Sequence, residues 1–316
     1  MHRFLVTLTA LCAAASLTGG AAASDLVDRN ASAVRLAVSK NGKRALVTYR
    51  SAGRLRRVLV FGALNALHPS TTQRQVRFQI DYTGGWETTG RVVWPRFGKR
   101  CGRYDGPVLA FVVAACKAPD GSYWALQSWQ SDLPHRGYPA WKPSQDDWEL
   151  HISHWRGPVA ELQVWTDWAF GGQAHDLFGK LTYRGVPVHG FRTAGAGGPA
   201  DGYGRSLYID THNSAYGAGW KRETSVVFRN PSGAFCYSFW PTHDRSLPGA
   251  PHRPAGKGDR YRITVQGPGV TPDVAWEGPG LHEYDAGNPA DVAYEQRMNR
   301  LLDEVTAPDR FCKTQH

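Results

Sequence analysis

Residues 149–170 read Glu-Leu-His-Ile-Ser-His-Trp-Arg-Gly-Pro-Val-Ala-Glu-Leu-Gln-Val-Trp-Thr-Asp-Trp-Ala-Phe. Apolar and polar side chains alternate on both sides of Arg156-Gly157-Pro158, the period of a β-strand rather than of a helix. Leu162, Val164, Thr166, Trp168 and Phe170 share one face of the second strand, and Glu161, Gln163, Trp165 and Asp167 share the other. In the first strand Leu150 and Ile152 oppose Glu149, His151, Ser153 and Trp155. A hairpin turning on Gly157 sets Glu149 beside Trp165 and His151 beside Gln163. One face then carries tryptophan rings among carboxylates, an amide and an imidazole. A sugar ring needs that mixture, an apolar platform for its C–H face and polar groups for its hydroxyls. Trp155, Trp165 and His151 are therefore candidate ligand-binding residues. In the same hairpin Glu149 and Asp167 are diagonal neighbours, with Cβ atoms about 7–8 Å apart. Paired carboxyls about 5–5.5 Å apart suit a retaining glycosidase and about 6.5–9.5 Å an inverting one, so Glu149 and Asp167 are the candidate catalytic pair.

The same two-residue period recurs outward from this segment. Val34 to Val38 and Arg44 to Arg50 flank Asn41-Gly42, a pair suited to the positive φ angles of a type I′ turn. Val108 to Cys116 and Tyr123 to Gln130 flank Pro119-Asp120-Gly121, and further strands are predicted at Phe178 to Tyr183, Ser206 to Asp210, Ala234 to Trp240 and Tyr261 to Val265. One helix stands out. Asn288 is a good N-cap, Pro289 fits the first helical position, and Tyr294, Met298, Leu301, Leu302 and Val305 form one apolar stripe before Ala307-Pro308. The expected fold is all-β, an antiparallel β-sandwich or jelly roll with one C-terminal α-helix packed on the sheet. A Pro-rich, polar stretch marks a candidate seam near residues 140–146, between a basic region, 24–145, and a C-terminal β region, 146–316; two β domains and one continuous domain are both compatible with it.

The first residues read as an export signal. His2 and Arg3 precede an apolar run from Phe4 to Leu17, and Ala21-Ala22-Ala23 fits the small-x-small rule for cleavage before Ser24. The run is shorter than the ~20 residues a membrane-spanning helix needs, and no later stretch is apolar enough. The chain is thus expected to be secreted. Beyond Ser24 four cysteines remain, an even number that suits disulfides in an exported protein. Of three possible connectivities, Cys101–Cys116 and Cys236–Cys312 is the favoured one. No Cys-x-x-Cys occurs, no Gly-x-Ser-x-Gly, no His-Glu-x-x-His and no phosphate-binding loop. No metal and no cofactor is expected.

Charge is concentrated near the front. Residues 34–107 hold 15 Lys and Arg against 3 Asp and Glu, while the whole chain is +10, so the positive excess lies entirely in this third. Such a stripe suits an anionic polysaccharide or another cell-wall polymer as partner; nucleic acid is not expected. Asp210 to Glu223 reads as a connection too long for a simple turn, packed with acid, imidazole, amide, aromatic and guanidinium groups. In it Asp210 and His212 are a candidate acid–base pair, and Tyr216 and Trp220 a candidate platform. The run Tyr203-Gly-Arg205, Asp210-Thr, Ser214 to Glu223 and Phe235-Cys-Tyr237 resembles uncharacterised secreted proteins of high-GC Gram-positive bacteria. That resemblance implies export from a bacterial cell and carries no activity. The leading expectation is binding of an extracellular or cell-wall polysaccharide. The alternatives are a glycan-cleaving enzyme and a structural or protein-interaction module without a small-molecule site.

Overall fold

The computed structural model describes residues 24–68, 73, 75–130, 148–169, 176–188, 207–226, 233–239, 258–279 and 284–306. In the first half the strands are β1 (Asp25–Arg29), β2 (Ser32–Val38), β3 (Arg44–Ser51), β4 (Arg54–Phe61), β5 (Gln79–Asp81), β6 (Val112–Lys117), β7 (Tyr123–Gln130) and β8 (Trp148–Trp155), with a short helical turn α1 (Trp86–Thr89) after β5. They form two antiparallel sheets, in the orders β2-β3-β4-β5 and β1-β8-β7-β6. Alternate residues point inward: Ala45, Val47 and Tyr49 of β3 and Val58 and Val60 of β4 meet Trp124, Leu126, Leu150 and Ile152 of β7 and β8. Burying such a two-sheet core is what makes half-apolar strands stable.

The second half holds β9 (Glu161–Trp168), β10 (Asp176–Tyr183), β11 (Val186–Pro187), β12 (Leu207–Ser214), β13 (Gly217–Val226), β14 (Ala234–Ser238), β15 (Arg260–Val265), β16 (Val274–Pro279) and the helix α2 (Pro289–Thr306). In one sheet β10 pairs with β9, β11 and β14; the other runs β13-β12-β15-β16. Leu177 and Leu181 pack with Phe235, Leu207, Ile209, Tyr261, Ile263 and Val265 between them. At the centre of β10 Gly179 faces Phe235 of β14, and a Cβ there would run into that ring and into the Gln163 carbonyl oxygen at 2.6 Å. The expected helix forms. The Asn288 side chain caps it by accepting from the Ala290 N–H at 3.0 Å. Its Met298 and Leu302 bury against Trp168 and Phe178, on the face of β9 and β10 turned away from the second core. The fold is thus all-β with one C-terminal helix docked on a sheet.

Three local expectations need correction. β8 and β9 do not form a hairpin: β8 pairs with β1 and β7, and β9 pairs with β10. Arg156 to Ala160 instead carry the chain from one pair of sheets to the other. β8, which follows residues 140–146 in the chain, is hydrogen-bonded to β1 and β7. Asn41-Gly42 is not a two-residue I′ turn, because only Gly42 has positive φ (75°). The Asn41 carboxamide oxygen accepts from the Ser39 hydroxyl and the Lys43 N–H, shaping a longer connection from Ser39 to Lys43. Asp210 to Glu223 is not a loop but the hairpin β12–β13, turning tightly at Ala215-Tyr216 with Asp210 opposite Arg222 and His212 opposite Trp220. Of the expected disulfides, Cys101–Cys116 is present; Cys312 and residues 1–23 lie outside the described residues.

The sheet β1-β8-β7-β6 is covered on both faces. Opposite its core face, Gln127, Trp129, Glu149, His151, Ser153 and Trp155 are also buried. The β15–β16 connection, residues 266–273, packs against it. The Gln127 amide exchanges two hydrogen bonds with the Asp273 backbone, both 2.9 Å. The Trp129 indole N–H donates to Asp273 Oδ2 at 2.9 Å, and its ring meets Tyr208 of β12 edge-on.

Candidate functional site

The basic excess of the first third gathers around the Ser39–Lys43 connection. A cavity of about 1170 Å³ lies between it and residues 91–100, and its walls carry Lys40, Arg44, Arg91, Arg96 and Arg100, with no carboxylate among the described residues that line it. A hollow of about 450 Å³ shares Arg100 and adds Lys99 and Arg103. Another of about 440 Å³ shares Asn41 and Arg44 and adds Lys43, Asp120 and His154. Shared lining residues make the three a continuous basic track. Like charges this close repel, so the track is an unsatisfied demand for anions.

Both walls are held in place. On one side Trp124 donates its indole N–H to the Gly42 carbonyl at 2.8 Å, and a Cβ on Gly42 would strike the Asp120 carboxyl. On the other the Arg100 N–H donates to the Val38 carbonyl at 3.0 Å, and the Cys101–Cys116 bridge ties the segment to β6. The Val93 N–H reaches the Gly84 carbonyl at 2.9 Å. That loop is organised by Asp81, whose carboxylate accepts from Thr83 and from the Thr88 N–H and hydroxyl. Burial opposes the charge on Asp81, but these donors outweigh it and hold its pKa at about 2. The loop so fixed presents two surface rings. Trp86 is 62% exposed; Trp94, 41% exposed, sits between the cavity residues Val93 and Pro95, with the Arg57 guanidinium 4.0 Å from its ring centre.

The residues singled out from sequence are placed differently. Trp155 is fully buried, its ring against Tyr104 and Tyr123 and its indole nitrogen without a hydrogen-bond partner among the described residues. Trp165 is half-buried and stacks on Phe178 at 5.2 Å, beside α2, so the two tryptophans do not form one platform. Glu149 is paired with Arg29 at 2.6 Å and with His151 Nε2 at 3.0 Å. Burial pushes the Glu149 carboxyl up, but His151 and Arg29 outweigh it and hold it below the usual carboxylate range. A carboxylate kept ionised in that way cannot serve as a general acid near neutral pH. Asp167 lies on β9, in another sheet, so the diagonal pairing with Glu149 does not exist.

His151 is fully buried between two carboxylates. Its Nε2 faces Glu149; its Nδ1 faces the Ser24 hydroxyl oxygen at 3.0 Å and carbonyl oxygen at 3.2 Å. The Ser24 hydroxyl spends its proton on Asp273 Oδ1 at 2.6 Å, so both ring nitrogens meet acceptors and the imidazolium is the form that fits. Burial alone would depress the His151 pKa; Asp273 and Glu149 reverse this and raise it. Asp210 anchors a buried triad, accepting from Arg222 Nε at 2.5 Å and from Arg262 at 3.0 and 3.2 Å. His212 does not pair with Asp210 but with Asp259, at 2.6 Å. Trp220 is flanked by Arg262, Arg260 and His212, and Tyr216 sits half-buried at the tight turn. The track, Asp273 and Asp259 are what sequence reading did not pick out singly. The charge asymmetry of residues 34–107 was the one signal pointing to any of them.

Among the described residues no group of three or more His, Cys, Asp and Glu is placed to hold a metal ion, and no helix is long and apolar enough to cross a membrane. No family model, curated protein or solved structure matches the chain.

Proposed function

We propose that the protein is a secreted binding protein for an anionic extracellular or cell-wall polysaccharide, gripped along the basic track. The observation that supports this reading is the cavity of about 1170 Å³, with five cationic side chains and no carboxylate among the described residues that line it. Arginine guanidinium groups bind carboxylate, sulfate or phosphate through paired N–H donors. Trp86 and Trp94 beside the track offer exposed rings on which sugar C–H faces stack. A continuous run of shared cavities suits a linear polymer better than a single small anion. Cleavage of the glycan by Glu149 and Asp167 is not part of this proposal, because the two residues lie in separate sheets and Glu149 is spent on Arg29 and His151.

The test is electrophoresis of the exported protein in native gels cast with neutral or acidic polysaccharides, at two salt levels. Retardation is expected in acidic polymer only, with loss at high salt, since exposed charges are screened within about 10 Å at 0.1 M salt. The double variant Arg96→Glu, Arg100→Glu removes two cations and adds two anions, and should run as in a gel without polymer. Retardation that survives in that variant refutes the track as the site. No retardation in any gel sinks polysaccharide binding, and binding displaced only by oligonucleotide would reassign the track to nucleic acid.

A further inference from the structure

Where β1 begins, the Ser24 side chain is wedged between two ionisable groups of distant elements, Asp273 before β16 and His151 on β8. The surroundings are unevenly neutralised. Glu149 has Arg29, with His151 on its other oxygen. Asp25, buried as well, accepts from the Phe78 N–H at 2.7 Å and has Arg77 at 3.9 Å. Asp273 is fully buried and receives the Ser24 hydroxyl, the Trp129 indole N–H and the Gly267 N–H, which are all neutral donors. Among the described residues the one cation paired with it is His151, at 3.8 Å, which Glu149 already shares. A buried carboxylate without a cation of its own is costly.

Ala21-Ala22-Ala23 directly before Ser24 is a small-x-small cleavage pattern. We propose that Ser24 is the N-terminal residue of the working protein, and that its α-ammonium is the buried counter-ion that completes the Asp273–His151–Glu149 cluster. The bond broken is the amide between Ala23 and Ser24. Water, delivered by an export peptidase, adds across it, leaving a carboxylate on Ala23 and an amine on Ser24 that takes up a proton. The cut falls on the unfolded chain, before Ser24 is buried. Covalent geometry places the Ser24 nitrogen within about 4 Å of its own Oγ, and hence within about 6 Å of Asp273 Oδ1. At that distance, away from water, an ammonium and a carboxylate attract strongly. Asp273 and His151 touch the Ser24 side chain; Glu149 lies across the imidazole on Nε2, Asp25 is next in the chain, and Arg29 and Arg77 stand behind these last two. Three carboxylates meet two guanidinium groups, and the one imidazolium is shared between Glu149 and Asp273, so beside Asp273 the ammonium is favoured over the free amine.

The full-length chain is exported from a bacterial host and the released protein weighed intact; a chain beginning at Ser24 is expected, and one beginning elsewhere overturns the proposal. The α-amine of that protein is then acylated at pH 7, folded and in urea. A pKa raised by about one unit leaves about tenfold less free base, so the folded protein should react at least that much more slowly. Equal rates in the two states refute the ion pair, and this measurement needs no variant. Slow acylation through burial alone is separated by the pH profile: a charged amine gains reactivity as pH rises through its raised pKa, whereas a merely hidden one stays slow at pH 10. Inserting one glycine between Ala23 and Ser24 moves the ammonium by one residue, about 3.8 Å. That variant should melt lower below pH 8 and lose the difference above the raised pKa; equal melting across the range also overturns the proposal.

Discussion

Replacing Asp210 by asparagine removes one negative charge and keeps the shape. The carboxylate is 1% exposed, and it holds two guanidinium groups, Arg222 at 2.5 Å and Arg262 at 3.0 Å. Arg222 is itself 2% exposed; its other contacts include the Gln130 carbonyl at 2.8 Å and the face of Tyr208 at 4.5 Å. Breaking a buried pair from one side costs about 3–5 kcal/mol, because the remaining ion stays desolvated. In a unit of 100–150 residues that lowers the thermal midpoint by roughly 10–20 °C. Calorimetry of wild type and Asp210→Asn at pH 7 measures it, with urea midpoints as a second reading. The same loss should persist at 1 M salt, since a buried pair is little screened. Exchanging all three members for apolar residues of similar volume should recover most of the midpoint, because the desolvation penalty disappears with the charges. A fall of less than about 1 kcal/mol, or one that salt abolishes, would refute the view of this triad as a buried, mutually dependent unit. Retardation in acidic polysaccharide should be unaffected in the folded variant.

Gly179→Ala should destabilise by about 1–3 kcal/mol through overpacking against Phe235, and Gly179→Ala with Phe235→Leu should recover part of it; urea unfolding reads both. His154 is pushed down to about 4 by burial, against the pull of the Ala63 carbonyl and Asp120. The unfolded chain takes that proton near pH 6.5 and the folded one only near 4, so stability falls by about 3 kcal/mol as pH drops across this interval. His154→Gln should flatten that slope in midpoints taken from pH 7 to 4. His151 has the opposite sign: its raised pKa contributes stability in full below about pH 6.5, lost as pH rises through the folded value. Replacing Cys101 and Cys116 by serine opens a loop of 15 residues and should cost about 3 kcal/mol, with weaker retardation in acidic gels because residues 91–100 lose their tether.

Periodicity identified strands well and partners poorly. Glu149 to Trp155 and Glu161 to Trp168 alternate as strands should, but the pattern is silent on which edges meet. Gly157-Pro158 between them favoured the local answer over the true one, in which β8 sits between β1 and β7. Alternation also marked Glu149, His151 and Trp155 as a polar, solvent-facing row. They are buried because segments with no strand period fold over that face: residues 266–273 reach His151 through Asp273, and Tyr104 covers Trp155. Asp210 to Glu223 lacked apolar alternation because its inward groups are an ion triad, so it read as a loop. The helix α2 was legible almost to the residue, since Asn288, Pro289 and the apolar stripe are all local signals. The basic track was visible as a charge count and invisible as a place, because Ser39–Lys43 and Arg91–Arg100 meet only through tertiary contacts.

The doubly covered sheet β1-β8-β7-β6 acts as a party wall between two houses. Its hydrogen-bonded strands are the floor of the first core, and their other face is roofed by residues 266–273 and Tyr208, so melting either side strips a cover from the other. Damage on the far face of the sheet, at Asp273 or Tyr208, is therefore inherited by β7 and β8, whose Trp124 braces and whose His154 lines the basic track, so the track is only as durable as the partition it leans on.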